Sequence, residues 1–286
     1  MGIIAGLLSM TFWGTAIFLA ALASRRLGNV LTLFWMQLFG FLVGSFFFLI
    51  NFGSFTFTAV TRNIPLLIVV AILQAIAYLA FYKGLEKAQV SLVSPIGATW
   101  GLITAVLGVI FFKELLSITQ LLAIGLIVTG IVLLSINIQE LVSLKKVNLL
   151  VGVKEGVIAM LGWGISLFLL VSATKDLGWF LPAFIFRFFV LLLMTGFIVF
   201  SKKTFVPIST KLPTLLLLLI GVFDIGGFFS YSIGVAGSNS SIVAPISSAF
   251  ALVTVLLARI FLKEKLEVNK IVGISAIVVG LILISS

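Results

Sequence analysis

The chain repeats itself at a fixed offset of 150 residues, and this repeat limits its fold more than any other feature. The match runs without a gap from the start of each half to its end. In the first half the matching residues are Gly6, Met10, Trp13, Gly14, Phe18, Ser91, Val93, Pro95, Ile96, Lys113, Glu114 and Gly130. Their counterparts are Gly156, Met160, Trp163, Gly164, Phe168, Ser241, Val243, Pro245, Ile246, Lys263, Glu264 and Gly280. An internal duplication of this length predicts two halves of similar fold.

The composition places the chain in a membrane. Hydrophobic residues make up 62% of its 286 residues and charged residues only 9%, which is more apolar surface than a soluble core can bury. The net charge of +10 does not indicate nucleic-acid binding, because the basic residues fall mostly in short gaps between apolar stretches. We therefore expect a multi-pass protein of the inner or plasma membrane, with the lipid bilayer as a partner and no nucleic acid.

The residue types that most enzymes and metal sites require are scarce or missing. The sequence has no Cys, no His and only eight acidic residues. This excludes disulfides and thiolate or imidazole ligands, and it removes most general acids and bases. We expect no metal, no cofactor and no enzymatic activity.

Ten apolar stretches are long enough to cross a bilayer, which takes about 20 mainly apolar residues in a helix. They cover residues 3–24, 30–51, 64–86, 90–112, 118–138, 151–173, 179–200, 213–236, 240–262 and 268–285. The predicted fold class is therefore an all-α integral membrane protein with ten transmembrane helices. The first repeat is assigned to residues 1–138, a linker to 139–150 and the second repeat to 151–286.

Each repeat holds five spans, and this odd number predicts how the halves are related. A half that starts on one side of the membrane ends on the other, so the second half is inserted upside down and the repeat is inverted. Of the 18 Lys and Arg residues, two fall inside spans, and this assignment puts thirteen on one side and only Arg62, Lys113 and Lys175 on the other. The side rich in positive charge is expected to be cytoplasmic, which puts both termini outside.

The ordered pairs of short motifs resemble the drug/metabolite transporter superfamily, in particular its EamA-type ten-helix members. The motifs are Trp13-Gly14 with Trp163-Gly164, Ser94-Pro95-Ile96 with Ala244-Pro245-Ile246, and Phe112-Lys113-Glu114 with Leu262-Lys263-Glu264. The likeness covers essentially the whole chain. It implies a secondary transporter of small metabolites, often an exporter, with a central cavity lined mainly by helices 1, 3, 4, 6, 8 and 9. Several relatives have both termini in the cytosol, which the loop charges here oppose.

Two ionisable residues are predicted at membrane depth, where each costs roughly 2.5–3.5 kcal/mol on insertion scales. Asp224 lies near the middle of the eighth span and Arg187 lies in the seventh, and their repeat counterparts are Gln74 and Gln37. Asp224 is expected either to bind substrate or a proton, or to serve as a structural partner between helices. Arg187 is expected to pair with Asp224 as a structural contact or a gate, to snorkel to the interface, or to hold a carboxylate or phosphate.

Pro95 and Pro245 lie a few residues inside counterpart helices, and each removes one backbone hydrogen bond. The nearby hydroxyl groups belong to Ser94, Thr99, Ser247 and Ser248. We expect these openings to form polar, flexible points of the cavity wall that serve in gating. The alternative is a tolerated kink near each helix start.

The remaining cavity candidates are mainly aromatic residues on the helices that the resemblance places around the cavity. They are Trp13, Gln74, Tyr78, Tyr82, Trp100, Trp163, Phe228 and Tyr231. Gln74, Tyr78 and Tyr82 follow one another at intervals of four and share one helix face, and Asp224 and Phe228 repeat this spacing. The alternative for Tyr and Trp is a position at the membrane interface without a transport role.

Two further patterns are assigned to structure. Gly40 and Gly44 are spaced four apart, which allows helices to approach closely. The motifs Lys113-Glu114 and Lys263-Glu264 are expected to stabilise short turns, because they occur at the same place in both halves.

Together these features predict a monomeric secondary transporter that moves a small amphipathic metabolite, such as an amino acid, by alternating access, with export as the favoured direction. Proton coupling through Asp224 is one variant, and an uncoupled facilitator or an uptake carrier for a sugar or another small solute is the alternative. A channel is disfavoured because the sequence shows no ring of charges and no filter-like loop.

Overall fold

The computed structural model describes residues 1–55, 57, 59–87, 93, 96–135, 152–201, 214–263 and 267–285. Regular secondary structure in these ranges is entirely helical, as the sequence predicts. Among the predicted features, Ser94, Pro95, Glu264 and the linker 139–150 lie outside the described residues.

The helices follow the apolar stretches of the sequence. The first half contains α1 (Gly2–Leu27), α2 (Asn29–Ile50), a short 3-10 turn (Phe52–Ser54), α3 (Val60–Lys87), α4 (Trp100–Phe112) and α5 (Ile118–Ser135). The second half contains α6 (Val153–Leu177), α7 (Phe180–Phe200), α8 (Thr214–Gly237), α9 (Ser240–Ser248), α10 (Phe250–Phe261) and α11 (Val268–Ser285). Because α9 and α10 form one continuous apolar segment, the described residues contain eight helical segments long and apolar enough to cross a membrane. Two shorter apolar helices, Ile96–Phe112 and Ile118–Leu134, accompany them.

The tight turns between helices fall at equivalent places in the two halves. Gly28 separates α1 from α2 with φ of 78°, and its counterpart Gly178 separates α6 from α7 with φ of 75°. Residues with a Cβ atom disfavour a positive φ. Glycine at these two positions therefore lets the chain reverse its direction within one residue. Lys113 and Lys263, which end α4 and follow α10, also share a left-handed backbone with φ of 55° and 56°.

The helices of one half pack mainly against those of the other, in reciprocal pairs. Helix α1 packs against α8, α9 and α10, while its counterpart α6 packs against α3 and α4. Helix α2 contacts α8, and its counterpart α7 contacts α3. Helices α5 and α11 pack chiefly against each other. The two halves are therefore interleaved, and a space between them is bounded by both.

Small residues allow these helix pairs to approach closely. The Thr104 hydroxyl donates to the carbonyl of Gly164 over 2.8 Å, and the counterpart Thr254 hydroxyl donates to the carbonyl of Gly14 over 3.0 Å. A Cβ atom on Gly14 would lie 2.7 Å from the Phe250 carbonyl oxygen. The same contact is thus made twice, once on each side of the interface between the halves.

The outer surface is apolar, as contact with lipid requires. Large hydrophobic side chains point outwards, among them Phe46, Leu49, Ile110, Phe111, Leu122, Phe200, Ile260 and Ile282. A soluble monomer does not expose apolar surface on this scale. In a bilayer the same side chains lie in hydrocarbon, while the helices satisfy their own backbone hydrogen bonds.

Candidate functional site

A cavity of about 440 Å³ lies between the two halves. Its side chains come from α1, α2, α3, α6 and α8, with Trp100 at the start of α4 and Phe250 at the start of α10. It extends from buried aromatic residues to the exposed Gly28 in the turn between α1 and α2. The lining residues are Trp13, Ala16, Ile17, Ala20, Ala21, Ser24, Gly28, Asn29, Met36, Gln74, Tyr78, Phe81, Tyr82, Trp100, Trp163, Leu167, Asp224, Phe228 and Phe250.

The inner end of the cavity is closed by aromatic rings. The Trp13 ring meets Phe228 edge to face with centroids 5.0 Å apart, and it meets Trp100 in the same way at 5.7 Å. Tyr231 packs against Trp13 at 5.8 Å and is fully buried. Edge-to-face contacts of this kind hold rings in fixed orientations, so the inner end is a preformed surface.

A second group of aromatic residues fills the space between the helices near the turn between α6 and α7. Trp179 and Phe180, at the start of α7, pack against Phe229 of α8 with centroids 5.4 Å and 5.0 Å away. Phe47 of α2 lies 4.8 Å from the Phe180 ring. The repeat counterpart of Trp179 is Asn29, which lies at the open end of the cavity. The two ends therefore differ because one repeat supplies bulky rings where the other supplies a small polar residue.

The charged part of the site is an ion pair between α7 and α8. Arg187 Nη2 donates to Asp224 Oδ2 over 2.5 Å, and Arg187 Nη1 donates to Gln37 Oε1 over 2.9 Å. Arg187 is fully buried, so it does not snorkel to the interface. The Tyr78 hydroxyl donates to Asp224 Oδ1 over 3.4 Å, and both residues line the cavity. Of the alternatives for Arg187, the pair with Asp224 is the one present.

Glycine makes room for this ion pair. A Cβ atom on Gly40 would lie 2.6 Å from Arg187 Nη1, and one on Gly221 would lie 2.7 Å from the Gly40 nitrogen. The Arg187 guanidinium also lies 5.3 Å from the Phe228 ring centroid, within the range of a cation–π contact. Gly40 is thus required for the fit of the guanidinium as well as for helix packing.

Gln74, the repeat counterpart of Asp224, does not bond to it. Its amide nitrogen donates to the Ser166 hydroxyl over 3.0 Å, and that hydroxyl donates to the Trp163 carbonyl over 3.0 Å. The single Ser166 hydrogen is used on Trp163, so its oxygen must accept from Gln74, which fixes the amide orientation. Gln74 Oε1 is buried and has no hydrogen-bond partner among the described residues.

The proline-containing segment of the second half is described by the structure. Pro245 lies inside α9, and the helix is interrupted at Ala249 before α10 begins. The Ser248 hydroxyl donates to the Pro245 carbonyl over 2.9 Å. At the counterpart of Ala249, the Thr99 hydroxyl donates to the Ile96 carbonyl over 2.7 Å. These hydroxyls are thus used inside their own helix turns.

Eight of the residues predicted for the cavity line it. They are Trp13, Gln74, Tyr78, Tyr82, Trp100, Trp163, Asp224 and Phe228. Four others do not line it: Thr99, Tyr231, Ser247 and Ser248. Arg187 and Pro245 do not line the cavity either: Arg187 points to Asp224, and Pro245 is buried within α9. Helix α2, which was not expected at the cavity, contributes Asn29 and Met36.

Phe81 and Phe250 were missed, although the repeat contains a signal for both. Phe81 is the counterpart of Tyr231, and Phe250 is the counterpart of Trp100, so aromatic character is kept at both pairs of positions. The small residues Ala16, Ala20 and Ala21 carry no such signal, because alanine serves helix packing equally well. No group of three acidic side chains that could hold a metal ion occurs within the described ranges.

Glu114 reaches from the first half to the second. Its carboxylate accepts hydrogen bonds from the Ser240 nitrogen over 2.9 Å, the Ser240 hydroxyl over 2.8 Å and the Ser241 nitrogen over 2.8 Å. These groups are at the start of α9, where helix nitrogens lack partners in the helix and attract negative charge. The Lys113-Glu114 motif is therefore a helix cap between the repeats, beyond the turn stabilisation expected.

Comparison with known proteins assigns the chain to a family. The profile of the EamA-like transporter family matches residues 1–136 and again residues 150–286. An uncharacterised protein of Methanocaldococcus jannaschii is 40% identical over 70 residues, which are 24% of this chain and 51% of that protein, so the match spans about half of the relative. A solved crystal structure superimposes with a TM-score of 0.75 over 99% of this chain and 95% of the other, at 14% identity. At that identity the superposition concerns the fold alone. The two profile matches together span nearly the whole length, and the chain therefore belongs to the EamA-like transporter family and is a multi-pass integral membrane protein.

Proposed function

We propose that this protein is a carrier that moves a small amphipathic solute across the membrane by alternating access. The observation that carries the proposal is the cavity of about 440 Å³ between the halves, which has an open end at Gly28 and a closed aromatic end at Trp13 and Trp100. Its volume suits a small metabolite, and its wall combines apolar rings with a few polar groups, as ligand pockets do.

Contacts at the ends of the helices support an inverted repeat. Asn29, which follows α1, donates to the Tyr82 carbonyl near the end of α3 over 3.5 Å. Asp176, near the end of α6, accepts from Arg62 near the start of α3 over 3.4 Å. Because α1 ends beside one end of α3 and α6 ends beside the other, these repeat counterparts run in opposite directions.

The reciprocal packing supports the rocking step. In the state open at Gly28, each repeat adopts its own arrangement of contacts with the other. If the two repeats exchange these arrangements, the cavity opens at Gly178 instead. Many of the packing contacts have a counterpart at the same offset, such as Thr104 with Gly164 and Thr254 with Gly14. The two states can therefore be close in free energy, which a carrier requires.

Cysteine accessibility tests this proposal, since the native chain has no Cys. Ser24 lines the open end, and its counterpart Thr174 is buried near the opposite surface. In proteoliposomes containing the transporter in one orientation, Ser24→Cys should react with an impermeant maleimide from one side, and Thr174→Cys should react more slowly and only from the other. A Thr174→Cys variant that stays unreactive on both sides, while Ser24→Cys reacts, would contradict alternating access.

The loop charges favour export. The open end lies beside Arg26, on the side that carries most of the Lys and Arg residues and is expected to be cytoplasmic. The resting state would then take its solute from the cytoplasm. A reporter fused to Ser286 that is active only in the cytoplasm would overturn this orientation.

We favour the uncoupled variant of transport over proton coupling. Within the described part of the chain, Asp224 is the only acidic residue that lines the cavity, and Arg187 already neutralises its charge. A proton bound to Asp224 would have to break this ion pair, which leaves a buried guanidinium without its partner. Solute flux in proteoliposomes should therefore follow the solute gradient at fixed pH, and an imposed pH gradient should not drive accumulation. Accumulation that Asp224→Asn abolishes would instead support the coupled variant.

A further inference from the structure

We infer that the solute of this site carries a protonated primary amine on an apolar body, and that Gln74 and Asp224 accept its N–H groups. The inference rests on the proposed carrier function and names the substrate class of the same cavity. It starts from acceptor groups of two residues that line the cavity, Gln74 and Asp224, because the described residues do not fully use these groups.

The first acceptor is Gln74 Oε1. It is buried, and no described group donates to it, which is costly for a polar atom at membrane depth. The Gln74 amide cannot turn around to improve this, because its nitrogen is held by Ser166. A ligand that donates a hydrogen bond would satisfy this oxygen, whereas a ligand that only accepts would not.

The second acceptor is the cavity side of Asp224. Arg187 binds Oδ2 from behind and is not part of the cavity wall, so the ion pair is a dipole with its negative end towards the solute. From the described residues, Oδ1 receives only the long 3.4 Å hydrogen bond of the Tyr78 hydroxyl. The pair attracts cationic donors and repels carboxylates, although its net charge is zero.

The remaining residues of the cavity wall also favour a positively charged ligand. The faces of aromatic rings are electronegative and attract ammonium groups. No Lys or Arg side chain occurs among the lining residues that the structure describes, so an anion would find no countercharge from them. The indole Nε1 of Trp13 is also buried without a hydrogen-bond partner among the described residues. It lies against Gly227, where a Cβ atom would be only 2.6 Å away, so this donor faces α8.

Gln74 and Asp224 share one cavity for a reason that follows from the repeat. They occupy equivalent positions of α3 and α8, and Tyr78 lies one turn from Gln74 while bonding to Asp224. A single ammonium group with three donors can therefore be directed to acceptors from both halves. Such a ligand would contact both repeats at once.

A matched series of ligands tests this inference in binding alone. We would titrate the purified protein in nanodiscs at pH 7 with 2-phenylethylamine, 2-phenylethanol and 3-phenylpropionate, using calorimetry or the fluorescence of the cavity Trp residues. We expect the amine to bind about tenfold tighter than the alcohol, since its hydrogen bonds are charge-assisted, and the carboxylate to bind weakest. Equal binding of amine and alcohol, or tighter binding of the carboxylate, would overturn the inference.

A variant and a modified ligand test the role of Gln74. Gln74→Met should reduce the preference for amine over alcohol severalfold, while the matched variant Gln120→Met, outside the cavity, should keep it. If Gln74→Met does not fold, the trimethylammonium analogue of 2-phenylethylamine tests the acceptors Gln74 and Asp224 together in the native protein. It keeps the charge but has no N–H donors, so it should bind severalfold more weakly than the amine; equal binding would contradict the role of Gln74.

The binding results and the accessibility results can fail separately. Loss of amine preference with intact alternating access would remove the inference and leave the carrier function. Amine preference in a protein whose Thr174→Cys variant never reacts would keep the ligand class and remove the carrier function.

Discussion

Arg187 donates a hydrogen bond to Gln37, the residue that occupies the same position in the other repeat, over 2.9 Å. The two repeats thus meet at equivalent positions of α2 and α7, and there one repeat carries a charge that the other lacks. The guanidinium then reaches Asp224 of α8, so one side chain joins both repeats and the cavity wall. The centre of the molecule is near-symmetric in packing and asymmetric in charge.

Removal of Arg187 should be strongly destabilising. Arg187→Gln leaves the Asp224 carboxylate buried without its countercharge, which costs about 3–5 kcal/mol in comparable buried pairs. The double variant Arg187→Gln with Asp224→Asn should recover a large part of this loss, because neither charge then remains. Denaturant unfolding in mixed micelles measures the unfolding free energies of the single and the double variant.

The exposed pair between Arg62 and Asp176 is the matched control. The Arg62 side chain is 82% exposed, and the pair is 3.4 Å long. Arg62→Gln should therefore change the unfolding free energy by less than about 1 kcal/mol. If Arg62→Gln and Arg187→Gln lowered the unfolding free energy equally, burial would not explain the effect of Arg187.

The cap formed by Glu114 should be measurable in stability. Glu114→Gln keeps the shape of the side chain but removes the negative charge that faces the Ser240 and Ser241 nitrogens. We expect a loss of about 0.5–2 kcal/mol, the range for other helix caps. Glu267→Gln, a loop carboxylate outside this contact, serves as control and should lower the melting temperature much less.

The contribution of this cap should depend on pH. Burial raises the pKa of the Glu114 carboxyl group, but hydrogen bonds from Ser241 and Ser240 outweigh this and bring its pKa below the ordinary value of 4.5. A carboxyl group with a lowered folded pKa stabilises the protein above its unfolded pKa, and the effect is lost as the pH falls through the folded pKa. The difference in melting temperature between wild type and Glu114→Gln should be constant near neutral pH and shrink below about pH 4.5. A difference that stays constant on acidification would argue against the ionised cap.

Alanine at the close helix approaches should be poorly tolerated in both halves. A Cβ atom on Gly14 would lie 2.5 Å from the Val253 Cβ, and one on Gly164 would lie 2.6 Å from the Ile103 Cβ. Each substitution should cost about 1–3 kcal/mol through overpacking. Gly125→Ala is the matched control, because nothing lies within 4 Å of its Cβ position, and it should stabilise α5 by up to about 1 kcal/mol. Equal tolerance at Gly14 and Gly125 would refute the close approach between α1 and α10.

Several features of the site followed from the sequence because they depend on local periodicity. The spacing of Gln74, Tyr78 and Tyr82 places them on one face of α3, and all three line the cavity. The ion pair of Arg187 with Asp224 was one alternative, since two opposite charges at membrane depth are expected to meet. The hydroxyls of Ser247 and Ser248 were expected in the cavity wall and lie in the helix packing instead, because the rotation of α9 about its axis is set by its neighbours.

The contact of Glu114 with Ser240, by contrast, could not be predicted from the sequence. Ser240 is 126 residues away, and nothing local to either residue indicates the contact. The cap exists because α4 and α9 cross between the repeats, which brings the end of one beside the start of the other. Asn29 and Met36 reach the cavity for a similar reason, since the packing of α2 decides which of its faces is inner.

The sequence by itself determined the duplicated, all-helical and membrane-embedded character of this protein, because apolar length, repeat offset and composition are properties of the chain alone. Only the tertiary structure decided that Asp224 faces the cavity while Arg187 stays behind it, and that the open end lies at Gly28 rather than at Gly178. Both repeats have nearly the same helix pattern, so the choice rests on which side chains fill the space between them. Trp179 and Phe180 fill it on one side, and Asn29 leaves it open on the other.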